Sequence, residues 1–88
     1  MENKQIKKIL KEGNVKFTIE GYKNGRNKLT TFSMSDKGGS VWNSLRGMNV
    51  GKFGSKYITL YSFDMLGTRT IGKIKYKDIK IIEEIKNN

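Results

Sequence analysis

GMNVGKFGSKYITLYSF, residues 47–63, joins a glycine-spaced segment to the most strand-like run in the chain. Side chains alternate faces along a strand, so Ile58 and Leu60 fall on one side and Tyr57, Thr59, Tyr61 and Phe63 on the other. An aromatic face beside Lys52 and Lys56 suits two arrangements. It can be an open platform on which bases stack while phosphates meet cations, or a second buried face under another layer. Gly47, Gly51 and Gly54 are expected to turn the chain sharply into the strand 55–63.

Downstream, Asp64–Arg69 reads as a tight connection and Thr70–Tyr76 as the returning strand. Ile74 and Tyr76 take one face and Lys73, Lys75 and Lys77 the other. Three like charges on one face repel unless they stand in water or against a polyanion, although lysine also protects an exposed sheet edge. Asp78 breaks the alternation, and 79–85 reads as a last strand.

Upstream, Val41–Arg46 has the look of a short helix with Ser40 as its N-cap, and its free amides beside Gly38 and Gly39 would suit an anion. Trp42 and Leu45, three residues apart, then predict an indole plugged into the core. Val15–Tyr22 alternates cleanly, with Val15, Phe17 and Ile19 on one face. Asn24-Gly25 accepts the positive φ of a hairpin turn, and 29–35 reads as the return strand. Within Glu2–Glu12, Ile6, Ile9 and Leu10 make a narrow apolar stripe opposite Lys4, Lys7, Lys8 and Lys11, and Gly13-Asn14 supplies the stop.

The expected fold is therefore mainly β: one domain over 1–88, a helix over 2–12, and a five-stranded small antiparallel barrel over 15–85, of the OB or SH3-like kind. Ten glycines and no proline in 88 residues suit several tight turns.

Charge narrows the function. Lys and Arg number 18 against 8 Asp and Glu, a net charge of +10, which points first to nucleic acid. Without histidine or cysteine, imidazole and thiolate catalysis, disulfides and the common zinc sites are absent. Asp36, Asp64 and Asp78 sit in turns, where aspartate bonds its own backbone, so no catalytic or metal-binding residue and no cofactor is expected. The chain shows neither a signal-like segment nor a long apolar run, and a cytoplasmic, non-membrane protein is the expectation.

Two stretches carry resemblances. Asn49-Val50-Gly51-Lys52-Phe53-Gly54-Ser55 resembles the glycine–aromatic–glycine segment of the single-stranded-DNA-binding proteins of filamentous phages, which are dimeric OB-type barrels; the resemblance implies that Phe53 stacks on a base. The N-terminal helix, the strand Val15–Tyr22 with its Asn24-Gly25 turn, and Ile74–Ile79 are similar to the layout of bacterial Sm-like RNA chaperones, which assemble as rings of five-stranded barrels.

The leading expectation is a non-enzymatic binder of single-stranded nucleic acid, DNA favoured over RNA or duplex and largely without sequence preference. Lys23, Arg26, Lys28, Arg46, Lys52, Lys56, Arg69, Lys73 and Lys75 would track phosphates, and Phe53, Tyr57 and Tyr61 would stack on bases. A small phage- or plasmid-type protein that binds and inhibits another protein fits the same aromatic face, as does an Sm-like RNA binder. Lysine outnumbers arginine by 15 to 3, which favours diffuse phosphate contact over a protein hot spot. Exposed strand edges leave a homodimer or larger assembly open.

Overall fold

A computed structural model of the protein describes residues 2–23, 29–43, 47–64 and 67–85, without the side chains at 23, 29, 63–64 and 67–71. The order is α1 (Asn3–Glu12), β1 (Gly13–Lys23), β2 (Leu29–Asp36), β3 (Ser40–Trp42), β4 (Gly47–Phe53), β5 (Tyr57–Asp64), β6 (Gly67–Lys75), a 3-10 turn at Tyr76–Asp78, and β7 (Ile79–Glu84).

Helix α1 forms where expected. Gln5 Oε1 accepts the Glu2 N–H at 3.0 Å, occupying one of the donors that a helix start leaves free. Ile6 and Leu10, one turn apart, are its buried residues. Gly13 ends it at φ 79° with its N–H bonded to Ile9 O. The position tolerates only glycine, because a Cβ would lie 2.0 Å from Ser35 O. The chain passes into β1 with no linker.

All neighbouring strands are antiparallel, in the order β6-β5-β4-β3-β2-β1-β7. The two edge strands, β6 and β7, are consecutive in the chain. Laid flat, six inter-strand gaps would separate them by about 29 Å. The connection through Tyr76–Asp78 can span at most about 14 Å, so the sheet has to curl until its edges approach. The result is a curled antiparallel half-barrel with α1 on its inner side.

The inner face and the helix share one core of Ile6, Leu10, Val15, Phe17, Ile19, Phe32, Met34, Val41, Met48, Ile58, Leu60, Ile74, Tyr76 and Ile79. Phe17 and Phe32 stack at 5.8 Å between ring centroids, and Tyr22 meets Phe32 edge-on at 6.4 Å. Tyr76 is fully buried: its hydroxyl donates to Gly54 O at 2.8 Å and its N–H to Lys56 O at 3.1 Å, which pins the β4–β5 turn to the core. Burial pushes its phenol above the ordinary value of 10.0.

Three expectations are corrected. There are seven strands among the described residues rather than five, because the segment 40–53 is a hairpin, β3–β4, and not a helical turn followed by a loop. Ser40–Trp42 is strand, so no helix starts at Ser40; residues 44–46 lie outside the described set. The amides of Gly39 and Ser40 are already taken by Ser35 Oγ, at 3.1 and 2.8 Å, which removes the anion site expected there. Trp42 is 45% exposed and not a core plug, since its neighbour Val41 is the inward residue of β3. The paired strands β1–β2 and β5–β6 confirm both hairpins, although the turns at 24–28 and 65–66 lie outside the described residues.

Candidate nucleic-acid interface

The outer face of β4, β5 and β6 carries the candidate site. On β5, Ile58, Leu60 and Ser62 are buried while Tyr57, Thr59 and Tyr61 between them are half-buried. Pairing sets their neighbours. Lys75 stands opposite Tyr57, Lys52 and Lys73 stand on either side of Thr59, and Asn49 stands opposite Tyr61. Lys52, Lys73, Lys75 and Asn49 are all exposed.

Lys73 Nζ lies 4.8 Å from the centroid of the Tyr57 ring, a cation–π contact that holds the ring and the ammonium together. Tyr61 is held differently. Gly51 is the extra residue of a bulge, since Val50 pairs with Leu60 and Lys52 with Thr59. A Cβ on Gly51 would lie 1.9 Å from Tyr61 Cε2, so the ring occupies the space that any other residue would fill. Glycine serves here as a seat for an aromatic ring.

Among the described side chains, charge on this face is of one sign. The sequences of β4, β5 and β6 contain a single acid, Asp64. On β1 and β7, by contrast, Lys16 Nζ and Glu83 Oε2 stand 4.0 Å apart across the strand pair. Lysines at 52, 73 and 75 have no such neighbour in sequence or register, and unopposed cations on a rigid face suit an anionic chain. A second basic surface lies on α1, where Lys4, Lys7, Lys8 and Lys11 border a shallow groove. That groove is walled by one helix alone and carries no ring.

Of the twelve positions expected from the sequence, five come together on the outer face: Lys52, Tyr57, Tyr61, Lys73 and Lys75. Lys56 is exposed in the turn beside them. Phe53 does not join them on that face; paired with inward-facing Ile58, it is partly buried and packs against the core. Arg26, Lys28 and Arg46 lie outside the described residues, and Lys23 and Arg69 are strand positions whose side chains do. Sequence reasoning missed Trp42, Asn49 and the role of Gly51. The available signal was the alternation Ser40-Val41-Trp42 and Met48-Asn49-Val50, which marks two short strands once the intervening residues are taken as a turn.

Among the described residues no helix is long and apolar enough to cross a membrane, and no three acids gather where they could hold a metal ion. No protein-family model, curated protein or solved structure matches the chain.

Proposed function

We propose that the protein is a non-enzymatic nucleic-acid-binding module that takes a single strand on the outer face of β4–β6, with DNA the form to test first. One observation carries the proposal: Tyr57 and Tyr61 stay partly exposed on a face whose exposed charges among the described side chains, Lys52, Lys73 and Lys75, are all positive. A ring fixed on a sheet can stack only on a base whose own face is free, which favours a single strand over a duplex. The lysines lie one strand to either side of the rings, within reach of the phosphates of a strand laid along β5. The half-barrel is then of the OB or SH3-like kind, and a cytoplasmic setting goes with this role.

The test is fluorescence anisotropy with a labelled single-stranded oligonucleotide and its duplex, at about 50 and about 200 mM salt. Tight binding that prefers the single strand is expected, with a log–log salt slope of about −2 from the three lysines. In the Tyr57→Ala/Tyr61→Ala double variant each lost ring should cost about 1–3 kcal/mol of binding. Equal, weak binding to both forms that ignores the aromatic changes would sink the proposal and direct attention to a protein partner.

A further inference from the structure

The same outer face continues beyond β4. Val41 points inward and is fully buried, so Trp42 points outward, and it is the only tryptophan in the chain. It stands between Ser33 on β2 and Gly47 on β4. A Cβ on Gly47 would meet nothing within 4 Å, so the floor beside the indole is open. One step along the sheet, Asn49 lies between Ser40 and Tyr61. From strand spacing, the Cα atoms of Trp42 and Tyr61 are about 12 Å apart, with Asn49 between them.

A large exposed ring beside an empty floor, followed by an exposed amide and a second ring, forms an ordered series. Tyr57 and Tyr61 are general stacking rings, which every base satisfies. The Asn49 side chain is different, because a carboxamide presents an adjacent donor and acceptor. Adenine answers that pair on both of its free edges, its amino group lying between two ring-nitrogen acceptors. Guanine's N7 edge offers two acceptors, but its O6/N1–H and N3/amino edges each offer an adjacent acceptor and donor, whereas each pyrimidine has only one such edge.

We propose that Trp42 and Asn49 extend the binding face across β3 and β4, with Trp42 as a third stacking ring and Asn49 reading one base edge in favour of a purine. This rests on the single-strand proposal above, and makes the site base-selective at one position while the remainder stays sequence-neutral.

A single tryptophan makes the test direct. Intrinsic fluorescence and anisotropy would be followed with oligothymidine and with the same strand carrying interspersed adenines. The expected result is quenching of Trp42 on binding and a preference of about fivefold or more for the adenine-bearing strand. Asn49→Ala should abolish the preference between the two strands. Trp42→Phe should preserve most of the affinity, and Trp42→Ala should weaken binding of both strands about fivefold or more. Binding that depends on Tyr57 and Tyr61 but leaves the tryptophan unquenched and shows no base preference would overturn this inference and leave the single-strand proposal standing. Absence of single-strand binding would overturn both.

Discussion

On β5, Ile58, Leu60 and Ser62 are buried, whereas Tyr57, Thr59 and Tyr61, alternating with them along the same eight residues, stay partly exposed. The inward set touches the core shared by α1 and every strand. The outward set touches Lys73 on one neighbouring strand and Gly51 on the other. A half-barrel this small has one core, so the second face is free to carry chemistry that does not stabilise the fold. Changes to the two faces should therefore separate stability from binding.

The largest effect belongs to the inner face. Leu60→Ala removes a buried side chain from the middle of the core, where the curled sheet cannot collapse to fill the space, and should cost about 2–5 kcal/mol in urea unfolding. That is a large share of the stability of a domain this size. If Leu60→Ala and Tyr61→Ala destabilise the chain equally, the division between faces is wrong.

How far that division could be read from the sequence varies along the chain. The helix, its glycine stop, β1, β5, and the inward Ile74 and Tyr76 against outward Lys73, Lys75 and Lys77 all follow an unbroken period of 3.6 or 2. The segment 40–53 does not. Its strands are short, and the bulge at Gly51 flips the parity: Met48 faces inward and Val50 packs against the core, but the next residue to do so is Phe53, three positions on. A period-2 pattern interrupted in this way resembles a loop, and Trp42 and Leu45 happen to fall at helical spacing. The misplacement of Phe53 has the same origin. Its glycine–aromatic–glycine setting suggested an exposed ring, but the bulge turned that ring inward and freed Gly51 to seat Tyr61. The outward position of Trp42 was legible only in the alternation Ser40-Val41-Trp42, a run too short to outweigh its helical spacing from Leu45.

Gly51 therefore offers a sharper cut between the faces. It is exposed and does not have positive φ, so alanine is compatible with its backbone. The added methyl would collide with Tyr61 Cε2, and the ring would yield by swinging away from its seat. Gly51→Ala should leave unfolding stability within about 1 kcal/mol of wild type. Its affinity for a single strand should fall nearly as far as that of Tyr61→Ala, by about 1–3 kcal/mol. Unchanged affinity in Gly51→Ala, with Tyr61→Ala impaired, would show that the ring does not need this seat.

The smallest expected effect lies where the faces meet, at the turn 54–56 that carries Lys56. Tyr76 reaches it from the core by donating its hydroxyl hydrogen to Gly54 O. Tyr76→Phe keeps the ring and removes that bond, at a cost of about 1 kcal/mol near neutral pH. The comparison should change in alkali. Burial raises the Tyr76 phenol above 10.0 in the folded chain, so above that pH the folded state still holds a proton that the unfolded chain has released. Its share of stability is complete below about pH 10 and is lost as pH rises through the folded value, because the phenolate is poorly solvated in the core and has no hydrogen to give to Gly54 O. Wild type should lose stability in this range faster than Tyr76→Phe, by up to about 1.4 kcal/mol per pH unit while the one-proton difference persists. All that the two proteins share cancels in the difference between their urea midpoints. Parallel loss in the two proteins would mean that the phenol ionises as freely in the fold as outside it, and that the turn is held by the Tyr76 N–H to Lys56 O bond alone.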